Sequence, residues 1–163
     1  MSINVCNNNS LSAITSLPSG VGGGSLNLIS TQTASSSSTI SFTSGIDSTY
    51  KEYIFKFINI HPASDRVDFQ FNLSIDSGSN YNVTKTTTFF RAYNFEDDSS
   101  AAVQYQTGED LAQGTGFQSL SDRIGNDADA SCSGTLTIFE PSSSVFVKHF
   151  FSRFNRMFAD PIT

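Results

Sequence analysis

The residues best equipped for chemistry are acidic and crowd into one stretch. Between Glu96 and Glu140 lie Glu96, Asp97, Asp98, Glu109, Asp110, Asp122, Asp127, Asp129 and Glu140, with Arg123 as the sole base. Hard oxygen ligands of this kind bind calcium where loops converge, and Asn126-Asp127-Ala128-Asp129 sets two carboxylates two residues apart. The glycine and terminal bidentate glutamate of a full calcium loop are missing, so solvated loop carboxylates are the simpler reading. A glycosidase needs two carboxylates facing each other across a substrate, one of them with a pKa raised by burial; the sequence singles out no such pair. His61 precedes Pro62 at the end of an expected strand and His149 lies inside another, so both read as structural rather than as general bases. None of the many serines sits in G-x-S-x-G. Gly20-Val21-Gly22-Gly23-Gly24-Ser25 precedes a strand, whereas a phosphate loop follows one. No catalytic residue, metal site or cofactor is assigned.

Two binding chemistries remain. Tyr50, Tyr53, Tyr81, Tyr93 and Tyr105, with nearby Asn and Asp, can form a sugar-stacking surface or serve as core and cross-strand packing. Lys148, Arg153 and Arg156 form a small basic cluster able to pair with the acidic loops of a neighbouring subunit, although isolated surface ion pairs contribute little. Cys6 and Cys132 allow one disulfide, far from a disulfide framework. The formal net charge of −6 disfavours nonspecific nucleic-acid binding, since phosphate contacts need a basic surface. Charged residues make up 15% of the chain, below the ordinary share for a soluble domain; Ser, Thr and Asn supply the polarity. That surface suits an extracellular or particle-bound protein. MSINVCNNNS lacks a signal peptide's basic start and apolar core, so synthesis in a cytoplasm without export by this route is expected. No stretch approaches the apolar length of a membrane span.

The elements that must position these residues are strands. Val67, Phe69, Phe71, Leu73 and Ile75 alternate with Asp68, Gln70, Asn72 and Ser74, which puts one apolar and one polar row on opposite faces of an extended segment. Tyr53 to Ile60 is apolar at almost every position, as expected of a strand buried on both faces. Further strands are expected at Leu26–Thr33, Thr39–Thr43, Thr86–Tyr93, Ala101–Tyr105, Ser133–Phe139 and Val145–Phe154, while Phe117–Ile124 is ambiguous. Turn signals separate them at Ser44-Gly45, at His61-Pro62 and at Asp76-Ser77-Gly78-Ser79-Asn80. Fifteen Phe and no Trp make the expected core phenylalanine-rich. Residues 1–25 read as an N-terminal arm, with Gly and Ser at linker density and an apolar cluster of Leu11, Ala13, Ile14 and Leu17. Leu11, Ile14 and Leu17 are the candidate docking contacts. Residues 26–163 read as the folded domain.

Two motifs carry a family resemblance. Ser41-Phe42-Thr43-Ser44-Gly45-Ile46-Asp47-Ser48-Thr49-Tyr50-Lys51-Glu52-Tyr53 leads into a strand that exits at Asn59-Ile60-His61-Pro62. Gly134-Thr135-Leu136-Thr137-Ile138-Phe139-Glu140-Pro141-Ser142-Ser143 follows much later. This order resembles virion structural proteins of tailed bacteriophages, especially those of marine viral sequences, over roughly Met1 to Phe158. The resemblance implies a β-sandwich on the particle exterior, as a tail appendage or capsid-associated protein, without enzymatic activity. Such domains end in a strand that completes the sheet. Here Asp160-Pro161-Ile162-Thr163 ends without an apolar alternating run, so either that strand is absent or a partner supplies it.

The expectation is therefore an all-β antiparallel sandwich of jelly-roll type preceded by a flexible N-terminal arm. Its expected role is structural, assembled in the host cytoplasm into a virion, with other virion proteins and further copies of itself as partners. A module that recognises host-surface glycans is the alternative, and a glycan-cleaving enzyme stands behind it.

Overall fold

The computed structural model describes residues 26–157. The chain divides into two units, Met1–Thr33 and Ala34–Thr163. In the first, residues 26–33 carry no strand and expose Leu26, Leu28 and Ile29, which corrects the expectation at Leu26–Thr33. Strand-forming composition does not make a strand without ladder partners. The candidate docking residues Leu11, Ile14 and Leu17 lie outside the described residues, as does Cys6.

The second unit is all-β, without a helix among its described residues. Its strands are β1 (Glu52–Ile60), β2 (Val67–Phe71), β3 (Phe90–Asn94), β4 (Ala101–Tyr105), β5 (Gln118–Ile124), β6 (Cys132–Phe139) and β7 (His149–Arg156). They form three antiparallel sheets, ordered β1-β6-β7, β2-β5 and β3-β4. Thr39–Thr43 is not a strand, and Val145–Val147 is exposed coil before β7 begins. Lys85 joins Gly114 in an isolated bridge well before β3 starts, so the strand expected at Thr86–Tyr93 begins later and runs to Asn94.

The core lies where the sheet β1-β6-β7 meets β2-β5. Leu120, Leu136 and Ile138 are buried there, with Phe55, Phe57, Phe69, Phe71, Leu73, Phe150 and Phe154 packed around them. The rings lock the two sheets together: Phe57 meets Phe69 edge-on at 5.1 Å, and Phe71 meets Phe150 at 5.1 Å. Such pairs add about 0.5–1.5 kcal/mol beyond their area burial. Cross-strand register explains one glycine. Phe57, Gly134 and Phe154 are aligned across β1, β6 and β7, and the missing Cβ of Gly134 leaves the space that Phe154 fills.

β1 is not buried on both faces. Tyr53 is buried and Phe55 and Phe57 half-buried, while Ile54 and Ile58 stand in solvent. Near its end the register slips between Phe57 and Ile60. Asn59 there takes a positive φ of 51° and donates its N–H to Ser133 Oγ at 2.9 Å, a conformation that Asn tolerates better than most residues.

Candidate functional site

The acidic stretch does not converge into one site. Asp97, Asp98, Asp127 and Asp129 are exposed on turns. Asp97 accepts the Ser99 N–H at 3.0 Å, and hydrogen bonds from the Ser99 side chain and backbone hold its carboxyl below the usual range. No group of three or more His, Cys, Asp or Glu side chains among the described residues is arranged to hold a metal ion. Asp122 has a different setting. It is buried on β5, and its carboxylate accepts from Arg91 Nη1 at 3.1 Å, Arg156 Nε at 3.2 Å and Arg156 Nη2 at 2.7 Å. Arg91 lies on β3 and Arg156 on β7, so one carboxylate ties all three sheets together. Arg156 thus belongs to an internal ion pair and is withdrawn from the basic cluster expected at the surface; Lys148 and Arg153 remain exposed.

His61 and three of the tyrosines are engaged locally. His61 Nδ1 lies 2.6 Å from the Ala130 carbonyl, so that nitrogen carries its hydrogen. Tyr53 is buried and donates to the Asp47 carbonyl at 3.0 Å. Tyr93 packs on Phe95 and under the Arg91 guanidinium, 5.5 Å from its ring centre. Tyr105 meets Phe90 edge-on and donates to Asp110, which pushes its phenol pKa up. These are packing roles, distributed over β1, β3 and β4. Cys132 is buried and free, and burial pushes its thiol up to about 11.

What the sequence did not signal is the accumulation of apolar side chains on an open sheet face. Across β1, β6 and β7 the outward rows are Glu52–Phe139–His149, Ile54–Thr137–Phe151 and Lys56–Thr135–Arg153. Ile58 and Phe151 are 73% and 64% exposed, and Ile54 and Phe139 join them. The hairpin β3-β4 shows a second such face, where Phe90 pairs with Tyr105 and Ala92 with Val103; Phe90 and Val103 are 66% and 77% exposed. The charges at the two faces are opposite. Lys56 and Arg153 lie in the outward rows of the first, with Glu52 as their acid, whereas the hairpin turn carries Glu96, Asp97 and Asp98. The outward apolar residues come singly or in pairs from each strand, Ile54 and Ile58 from β1, Phe139 from β6 and Phe151 from β7, so no one strand announces the face.

The concave features are small. A depression of 410 Å³ is lined by Lys51, Glu140 and residues 142–146, with the Lys51–Glu140 ion pair at 2.8 Å on its wall. Its lining holds one aromatic ring, Phe146, and one carboxylate, Glu140, so it has no facing pair of carboxylates.

Comparison with protein-family models, with curated proteins and with solved structures returned no match for this chain.

Proposed function

We propose that this protein is a non-enzymatic structural component of a phage particle exterior that assembles with copies of itself, its strands arranged as a jelly-roll sandwich. The observation that carries the assembly is the open face of β1-β6-β7, where Ile54, Phe139 and Phe151 lie exposed in neighbouring rows and Ile58 follows beyond the row Lys56–Thr135–Arg153. Scattered apolar residues on a monomer need no explanation, but a contiguous patch marks an interaction surface. The partner argued from charge is a second copy. The hairpin β3-β4 offers Phe90, Val103 and Tyr105 beside Glu96, Asp97 and Asp98, complementary to the Lys56 and Arg153 side of the sheet. Such a contact is heterologous, and the rotation between successive copies decides whether it closes into a ring or extends as a filament. The virion setting rests on the resemblance of the two sequence motifs, and attachment through Leu11, Ile14 and Leu17 is part of the same reading. The test is mass in solution by light scattering for the intact chain and for Ile58→Lys with Phe151→Lys. The expected result is an oligomer that the paired lysines dissociate without unfolding. An unchanged mass in the variant would move the interface elsewhere.

A further inference from the structure

Lys85 is a buried lysine without an acidic partner. The residue is 6% exposed, and among the described residues no carboxylate pairs with it. Burial lowers the pKa of its ammonium, which favours the neutral, nucleophilic amine. Nζ donates to Asn72 Oδ1 at 2.5 Å and to the Val83 carbonyl at 2.8 Å. Asn72 directly follows β2, and its amide is fixed on every side. Nδ2 donates to Tyr81 O at 2.8 Å and to Thr115 O at 3.0 Å, while Oδ1 also accepts the Leu73 N–H at 2.9 Å. The lysine backbone is fixed as well, exchanging both hydrogen bonds with Gly114 at 2.8 Å and 2.9 Å.

We propose that Lys85 and Asn72 form an intramolecular amide cross-link. A carbonyl bond is about 1.2 Å long, so the 2.5 Å Nζ–Oδ1 contact holds Nζ within about 3.7 Å of Asn72 Cγ, close to the separation of a near-attack pair. The neutral amine attacks Cγ, forming the Nζ–Cγ bond. The Cγ–Nδ2 bond breaks, an amine proton passes to Nδ2, and ammonia leaves. The Leu73 N–H faces the oxygen that gains negative charge in this addition. No oxidant or further reactant is required. In the product, the new amide N–H retains the Val83 carbonyl and the amide oxygen retains the Leu73 N–H, while Tyr81 O and Thr115 O lose a donor. The buried amine, costly to keep charged, is converted to a neutral group. The bond fastens the end of β2 to the Lys85–Gly114 bridge and closes a covalent loop across the turn at residues 76–80.

The test is electrospray mass spectrometry of the intact, purified chain followed by peptide mapping. The expected mass is about 17 Da below that of the sequence, allowing for N-terminal methionine removal, because one ammonia is lost. Trypsin fails to cut after Lys85, and residues 67–91 are released as one internally looped peptide that carries the whole deficit and yields no backbone fragments between residues 72 and 85. Lys85→Arg and Asn72→Ala restore the full sequence mass. A full mass in the native chain overturns the proposal. So does a deficit that maps to a linear peptide with an asparagine succinimide, or one that persists in Lys85→Arg. The decisive reading is made on the unmodified sequence, so a variant that fails to fold does not weaken it.

Discussion

Asp122 is the point at which this fold is most easily broken. Its side chain is 5% exposed and faces two guanidiniums, those of Arg91 and Arg156, which are themselves 20% and 11% exposed. Removing one member of such a buried pair costs about 3–5 kcal/mol, chiefly because a charge is left buried without compensation. Asp122→Ala removes the carboxylate that both guanidiniums share, so the upper part of that range is expected. For a chain of this length a loss of about 4 kcal/mol lowers Tm by roughly 8–16 °C. Urea denaturation followed by tyrosine fluorescence or circular dichroism measures it directly. The same physics makes a sharper demand. Replacing all three charges together, as Arg91→Met, Asp122→Leu and Arg156→Met, should cost less than Asp122→Ala alone, because no charge is then left unpaired. Hydrogen exchange in β3 and β4 should also accelerate in Asp122→Ala, since Arg91 ties the hairpin to β5. A loss below about 1 kcal/mol in Asp122→Ala, the value of an exposed pair, would refute the claim that this cluster holds the three sheets together.

Other expectations follow from single positions. A Cβ on Gly134 would overlap the Arg153 carbonyl oxygen and come within 2.5 Å of Phe154 Cγ; Gly134→Ala should therefore destabilise by about 1–3 kcal/mol, measured by the urea midpoint. Cys132, with its thiol near 11 and its side chain buried, should resist a thiol-specific reagent at pH 8 in the native state and react once urea unfolds the chain. The Ser74 hydroxyl and the Asn80 amide hold the Asp76 carboxyl down to about 2 from an ordinary 3.8. A depressed folded pKa means that its stabilising contribution is present above pH 4 and lost as pH falls towards 2. Carbon-detected NMR titration should give that midpoint, and Ser74→Ala should move it back up; an ordinary midpoint in the unmodified chain would remove the turn's hydrogen bonds from the account.

Part of this fold was legible because period-two alternation reports burial wherever a strand has one wet face. The alternating run Val67–Ile75 holds β2, which ends at Phe71 and leaves Ile75 in solvent, and Ser133–Phe139 lies within β6. Strand-forming composition misled at Leu26–Thr33 and Thr39–Thr43, which belong to none of the three sheets. The segment left ambiguous, Phe117–Ile124, holds β5. Gln118, Ser119, Ser121 and Asp122 carry no apolar alternation, yet they lie in the most thoroughly buried strand. Their polarity is satisfied by partners distant in sequence. Gln118 Nε2 donates to Glu109 O at 2.8 Å and its Oε1 accepts from Thr87 at 2.5 Å, while Ser119 donates to Glu109. Buried polar groups are kept when each is hydrogen-bonded, but the bonds that permit it are invisible in local patterning. The open face was misread for a related reason. The apolar run Tyr53–Ile60 resembled a strand covered on both sides, and a second apolar face can equally be covered by another chain.

The central claim is that this open face joins copies of the chain, and its most direct test is mass by light scattering across a range of concentrations. It is measured on the intact chain and on a chain lacking residues 1–25. The account predicts one defined oligomer for both, loosened by high salt, since Lys56 and Arg153 meet acids of the neighbouring hairpin and salt screens such exposed charges. A compact monomer for both, unchanged up to high concentration, would contradict it.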